Sequence, residues 1–213
     1  MTSALDRLSS ALGLGSDAGA VLGSLDPLYR EIDAEVAERT AGQGLPCKMG
    51  CDACCHQSVF LSAPEFLRVA AELLAIRSVE ERRRLVSEMQ ALASRFSDEL
   101  EQLEQFPPGA ERDEVAARVA FRCPLLGSDG RCTIYPAREL NARTFGATWD
   151  HHRAQPYGCP LTVARVLELG RSVAERWADP RDARARLARA VPGTEKVQLY
   201  PWWFERYGRY LTE

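Results

Sequence analysis

Seven cysteines are the residues of this sequence whose type and spacing could do chemistry. They are Cys47, Cys51, Cys54, Cys55, Cys123, Cys132 and Cys159. The first four lie within nine residues, so one short loop can present several thiolates to one centre. Thiolates select zinc or iron, the latter also as an iron–sulfur cluster. The spacing therefore predicts metal ligation, with a redox thiol group or a vicinal disulfide at Cys54–Cys55 as the alternative.

A second cysteine segment lies far downstream in the chain. Cys123 and Cys132 flank Asp129-Gly130, a pair that is typical of a tight turn, and Cys159 follows after another irregular stretch. A long helical pair separates the two cysteine segments. If that pair folds as an antiparallel hairpin, the segments meet, and we therefore predict a single metal centre.

Composition argues against two classes of protein, nucleic-acid binders and membrane proteins, and it indicates the compartment in which the cysteines act. The formal net charge is -3 and the pI is near 5.8, so no basic excess indicates a nucleic-acid partner. No run of about 18 apolar residues predicts a membrane span. The N-terminus has no basic segment ahead of its apolar residues, so we expect no signal peptide and a cytoplasmic protein. In that reducing compartment, clustered cysteines favour metal ligation over disulfides.

The elements that must position the cysteines are helices. We predict a mainly α fold: a flexible N-terminal extension over 1–25, then one helical domain over 26–213 with irregular cysteine-bearing loops and one small β-hairpin. The first predicted helix runs from Asp26-Pro27 to near Gly42, and the second begins at a capping box at Ser62–Glu65. The third runs through Leu85–Leu103 and ends at Pro107-Pro108-Gly109. Further helices are predicted over 110–121, 161–177, 181–191 and 200–210. The predicted extended segments are a short strand over Ser58–Leu61 and a hairpin near Cys132–Tyr135.

The cysteine pattern resembles a known family. C-x3-C-x2-C-C, followed downstream by C-P-x-L, G-x-C-x-I-Y and R-x-F, is similar to the YkgJ-type cysteine-cluster proteins, which are described as zinc- or iron-chelating domains. The matching residues are Cys47, Cys51, Cys54, Cys55, Cys123, Pro124, Leu126, Gly130, Cys132, Ile134, Tyr135, Arg138, Arg143 and Phe145. The resemblance covers about residues 45–160. The family is also similar to a larger lysine methylase of flagellin, whose activity does not carry over to this chain.

Two positions depart from the family pattern. Glu139 stands where a proline is usual, and Ala142 stands where a cysteine is expected. Because alanine has no donor atom, we predict that a nearby side chain could substitute. The candidates are His151 and His152, together with Asp150 and with His56 beside Cys55; the alternative is that all are surface loop residues.

Arginines near the cysteines have two interpretations. Arg138 and Arg143 could offset the negative charge of several thiolates, or they could form plain surface salt bridges. A basic run, Arg181, Arg184, Arg186 and Arg189, is interleaved with Asp179 and Asp182, which favours a solvated helix face.

Three functions remain open from the sequence. Seven cysteines do not divide into two zinc sites of four cysteines each, which favours an iron–sulfur cluster, expected as 4Fe-4S. Zinc in a structural or adaptor domain is the alternative, and it leaves a protein partner open. A metal-dependent enzyme that modifies a protein side chain is implied only by the resemblance.

Overall fold

The helices account for most of the chain, so the mainly α prediction is confirmed. A computed structural model describes residues 3–57, 59–107 and 109–213. The α-helices are α1 (Ala4–Ala11), α2 (Ala18–Arg39), α3 (Ala63–Ile76), α4 (Val79–Arg95), α5 (Ser97–Gln105), α6 (Ala110–Arg118), α7 (Leu140–Thr144), α8 (Pro160–Leu169), α9 (Arg171–Ala174), α10 (Pro180–Ala190) and α11 (Tyr200–Tyr207). Short 3₁₀ turns cover Ala53–His56, Tyr135–Ala137 and Gly208–Leu211.

Two small antiparallel sheets complete the fold. Strand β1 (Phe60–Ser62) pairs with β4 (Val197–Leu199), and β2 (Trp149–Asp150) pairs with β3 (Gln155–Pro156). The predicted strand over Ser58–Leu61 corresponds to β1, although Ser58 itself lies outside the described residues. The sheet of β1 and β4 joins the start of α3 to the start of α11.

The N-terminal segment differs from its prediction. The sequence predicts a flexible extension over 1–25, whereas the structure has α1 and the first two turns of α2 there. Asp17 caps α2, since its side chain accepts the N–H of Ala20, and Pro27 lies inside the helix rather than opening it. Leu8 and Leu25 are fully buried, so their apolar burial holds this segment on the rest of the fold. The domain division at residue 26 stays a prediction.

The start of α3 agrees with the sequence and anchors the region of the cysteines. Glu65 Oε2 accepts the backbone N–H and the hydroxyl of Ser62, both at 2.7 Å, as the predicted capping box requires. Glu65 Oε1 accepts the hydroxyl of Tyr29 at 3.1 Å and the N–H of Leu140 at 2.7 Å. This buried carboxylate therefore joins α2, α3 and α7 at one point.

Two predicted helices are each broken once. The helix predicted through Leu85–Leu103 is interrupted at Phe96, whose φ of -113° and ψ of 29° separate α4 from α5 while its ring stays buried. The helix predicted over 161–177 is interrupted at Gly170, whose φ of +86° separates α8 from α9. Pro108, in the predicted stop after α5, lies outside the described residues.

The aromatic tail packs against the domain as helix α11, as predicted for residues 200–210. Phe66 of α3 stacks on Trp203 with ring centroids 5.6 Å apart and meets Phe204 edge-on at 5.4 Å. Helix α11 also packs against α4. These contacts pack α3, α4 and α11 closely together, and the cysteine loops extend from this helical core. Within the described residues, no helix is both long enough and apolar enough to cross a membrane.

Candidate metal centre

All seven cysteines line one cavity of about 80 Å³, which we call the thiol cavity. They are Cys47, Cys51, Cys54, Cys55, Cys123, Cys132 and Cys159. Three separate stretches of chain supply them, so the structure brings together the segments that the sequence predicts should meet. All seven are free thiols in the structure.

The first cysteine loop is tightly turned and bonded to the second. Gly50 has a φ of +93°, a conformation that glycine adopts without strain, and the N–H of Cys51 reaches back to the carbonyl of Lys48. Cys54 and Cys55 then lie on a 3₁₀ turn. The N–H of Cys123 donates to the carbonyl of Cys55 at 2.7 Å, so a backbone hydrogen bond fixes the two loops side by side.

The second cysteine segment folds back on itself at the predicted turn. Cys132 forms an isolated antiparallel bridge with Leu126, and Gly130, with a φ of +75°, lies in the turn between them. The predicted hairpin therefore exists, but it lies over residues 125–133, and a 3₁₀ turn begins at Tyr135.

A third stretch closes the cavity around Cys159, which is almost fully buried. The thiol of Cys47 donates to the carbonyl of Phe145 at 3.3 Å, which ties the first loop to this stretch. The Phe145 ring lies against Gly158, where an added Cβ would lie only 2.1 Å from the ring. Position 158 therefore favours glycine for two reasons: its φ is +81°, and the Phe145 ring leaves no space for a Cβ.

A Gly158→Ala substitution should lower the free energy of unfolding by about 1–3 kcal/mol for the left-handed backbone alone, and by more because Phe145 must move. Gly170→Ala is the matched control, since Gly170 has a φ of +86° and open space around its Cα. Chemical denaturation of both variants measures the difference. An equal loss in the two would show that the contact with Phe145 contributes nothing.

Burial and mutual contact set the protonation of the thiols. Burial raises the pKa of Cys47 to about 11 and that of Cys123 to about 12, and it also raises the pKa of Cys132. A hydrogen bond between Cys54 and Cys55 lowers the pKa of Cys54 to about 7 and raises that of Cys55. Most of these thiols are therefore protonated without a metal, and a metal that binds them must displace protons.

The chemistry of this lining fits a soft or borderline metal. Among residues 3–57, 59–107 and 109–213, no group of three or more His, Cys, Asp or Glu side chains is arranged to hold a metal ion. The seven cysteines are distributed over the lining of the thiol cavity. A single tetrahedral zinc, with Zn–S bonds of about 2.3 Å, would draw sulfurs to about 3.8 Å from one another.

The two arginines predicted near the metal have different surroundings. Arg138 lines the thiol cavity, with its guanidinium 3.6 Å from the centre of the Tyr135 ring. Arg143 is buried away from the cavity lining, pairs with Asp33 and lies 4.0 Å from the centre of the Tyr29 ring. Of these two arginines, Arg138 is the one that lies close enough to the thiols to offset their charge directly.

Ala142 lies in the wall of the thiol cavity, as expected of a position where the family pattern has a cysteine. Glu139, at the usual proline position, also lines the cavity and is fully buried, and burial raises the pKa of its carboxyl. The hydroxyl of Tyr200 donates to Glu139 at 2.5 Å. Sequence reasoning did not single out Glu139 or Tyr200 as site residues. The replaced proline was the signal that could have pointed to Glu139.

The histidines proposed as substitute ligands lie elsewhere. His151 and His152 are exposed, and neither is among the residues that line the thiol cavity. His151 Nε2 lies 3.4 Å from the carbonyl oxygen of Trp177. His56 is exposed and lies 3.4 Å from Asp52. Their role as ligands stays a prediction.

From these positions we expect the double variant His151→Ala, His152→Ala to keep its metal, because neither imidazole borders the cavity. Elemental analysis per chain after parallel purification of the variant and the wild type measures this. A fall in metal content would mean that residues 151–152 move into the site when the metal binds.

A comparison with protein-family models agrees with the geometry. The family model CxxCxxCC, described as "putative zinc- or iron-chelating domain", matches residues 46–160, more than half of the chain. The matched range includes all three stretches that line the thiol cavity with cysteines. Neither a curated protein nor a solved structure matches the chain.

Proposed function

The chain belongs to the CxxCxxCC family of zinc- or iron-chelating domains, and we propose that its cysteines hold an iron–sulfur cluster, or iron, in the thiol cavity. The observation that carries this proposal is the common cavity lined by all seven cysteines. Such a cluster, when bound, would supply electron transfer or structural support. We expect a 4Fe-4S cluster, for which four of the seven thiols suffice.

A cluster is compatible with thiols that line one cavity from three stretches of chain. In a cluster each thiolate binds a different iron, so the ligands need not converge on one atom. Glu139, Tyr200 and Arg138 would complete the wall around the cluster.

Structural zinc is the second candidate, and a specific observation favours it. The cysteines come from three stretches of irregular chain that a bound ion could hold together. Zinc in such a site contributes directly to the free energy of folding. A chain of this kind would serve as a binding module or adaptor for a protein partner.

Anaerobic purification followed by elemental analysis and an absorption spectrum tests the proposal. A cluster predicts about four irons and four acid-labile sulfides per chain, with a broad visible absorption. One or two zincs and a colourless protein would establish the second candidate instead. A folded chain that binds neither metal would overturn both.

A further inference from the structure

A second and larger cavity lies beside the metal centre. We call it the arginine cavity; its volume is about 570 Å³, within the range of roughly 300–1,000 Å³ that is usual for small-molecule sites. Residues of α6, α7 and α10 and of strands β1 and β4 line it, among them Arg112, Asn141 and Arg184, and Tyr157 lines it from the loop after β3. The metal centre does not use this space.

Arg112 is a buried cation that forms no salt bridge with any described residue. Its side chain lies 4.5 Å over the Phe60 ring and donates to the carbonyl of Val197, and the residue is only 7% exposed. Its Nε is buried and has no hydrogen-bond partner in the structure, and no ion pair to Arg112 occurs among the described residues. Burial lowers the pKa of Arg112, and the charge of the neighbouring Asp113 offsets only part of this effect. A buried, unpaired guanidinium is costly, so an anion that reached it would be strongly attracted.

Arg184, on α10, borders the same cavity and has only neutral partners. It donates to Asn141 Oδ1 at 3.0 Å and to the hydroxyl of Tyr157 at 3.3 Å. Its neighbours on the helix differ, because Arg181 pairs with Asp179 and Arg186 pairs with glutamates of α2. Two arginines of the predicted solvated helix face, Arg181 and Arg186, are therefore neutralised by carboxylates, whereas Arg184 is held at the cavity with its charge available.

Most carboxylates that line the arginine cavity already have hydrogen-bond or ion-pair partners within the protein. Glu65 already accepts four hydrogen bonds, and Asp150 accepts two backbone N–H groups through its Oδ1. Asp113 and Asp150 lie 3.8 and 3.9 Å from Arg153. Glu195 is exposed at the rim. These carboxylates leave Arg112 and Arg184 as the groups that an incoming ligand would meet as free charge.

A third cavity, of about 100 Å³, shares lining residues with both the arginine cavity and the thiol cavity; we place it between them and call it the passage. It shares Cys54 and Ala142 with the thiol cavity, and Asn141 and Tyr157 with the arginine cavity. Ala142 lies in the wall that the thiol cavity and the passage share, and its side chain is small and has no donor atom. A ligand held by its charged end could extend along the passage toward the metal.

We propose that the arginine cavity binds the oxyanion of a small molecule, a carboxylate or a phosphate, through Arg112 and Arg184. Arginine suits both groups, because its planar fork of N–H donors matches their oxygens in pairs. The rest of the molecule lies toward Asn141, Tyr157 and the passage to Ala142. The anion site itself does not depend on which metal the cysteines hold.

Titration calorimetry on the purified full-length protein tests this proposal. The probes are inorganic phosphate and succinate, each measured against sodium chloride at equal ionic strength. Wild type should bind at least one of them, and Arg184→Gln should weaken that binding at least ~tenfold, the cost of one charged hydrogen bond. Arg189→Gln, an exposed arginine on the same helix that does not line the cavity, should bind like wild type.

Arg112→Met is the second variant, because it keeps most of the apolar stem over Phe60 and removes the buried charge. It should lose oxyanion binding and, if it folds, should show the same metal content as wild type. Binding of phosphate alone or succinate alone supports the proposal and assigns the ligand class. Binding of neither probe, or equal binding by wild type and Arg184→Gln, overturns it. Metal content measured on the same samples tests the proposed function separately.

Discussion

Cys54→Ala and Cys51→Ala are each expected to lose most of the bound metal. Both thiols line the thiol cavity, and Cys54 also borders the passage that leads out of it. Loss of a ligand should lower metal affinity by more than the ~10–100-fold that loss of an outer hydrogen-bond partner costs. Metal per chain, determined after identical anaerobic purification, is the measurement.

Arg189→Gln is the control for both cysteine variants, since its exposed side chain lies away from the cavity and should leave the metal unchanged. Circular dichroism on each sample checks that the helices are intact, so that a loss of metal is not a loss of fold. If both cysteine variants kept their full metal content, the assignment of the thiol cavity as the metal centre would be wrong.

Arg143→Leu is expected to cost about 3–5 kcal/mol of stability, the range for breaking a buried ion pair. The Arg143 side chain is 3% exposed and pairs with Asp33. It also donates to the carbonyls of Pro136 at 2.5 Å and Arg138 at 2.8 Å, and each acceptor left unpaired in a buried position adds to the cost. Since Asp33 is 45% exposed and can regain water, the loss should fall toward the lower end of this range.

The same variant separates the two interpretations of Arg143. Chemical denaturation should show the loss of stability, while the metal content per folded chain stays close to that of wild type, because Arg143 does not line the cavity. Arg138→Gln, at the arginine that does line it, is the matched comparison and should affect the metal more than the fold. The opposite pattern, unchanged stability with lost metal in Arg143→Leu, would make Arg143 a partner of the metal site.

Local signals predicted local structure well. The Ser62–Glu65 pair gave the start of α3, and the turn at Asp129-Gly130 gave the reversal between Cys123 and Cys132. Both depend on interactions within a few residues, which the sequence displays directly. The aromatic run of the tail likewise predicted a packed helix.

Features that depend on distant residues were not predictable in the same way. Asp26-Pro27 has the chemistry of a helix start, yet α2 begins earlier because Leu25 and other apolar residues of that segment are buried against the domain. Strand β4 exists because β1 pairs with it across more than 130 residues of sequence. Arg112 carries no motif, and its buried Nε without a hydrogen-bond partner is visible only once the chain is folded.

The seven cysteines occupy an intermediate position between these cases. Their spacing predicted a metal, and the family pattern predicted which residues belong together, but neither could show one shared cavity. The site also contains Glu139 and Tyr200, which meet only because β4 and α11 bring the tail to the loops. A motif can predict which residues bind a metal, whereas the other residues that line the cavity, such as Glu139 and Tyr200, depend on the whole fold.

The backbone hydrogen bond from Cys123 to Cys55 has a consequence for the kinetics of metal loading. This bond and the contact of Cys47 with Phe145 hold the three cysteine stretches together through protein groups alone. Part of the entropy of ordering those loops is then lost when the chain folds rather than when the metal arrives. We therefore expect loading to be a bimolecular reaction whose rate rises in proportion to the concentration of the metal donor, with no lag for folding. A newly synthesised chain could complete its fold first and receive its metal afterwards.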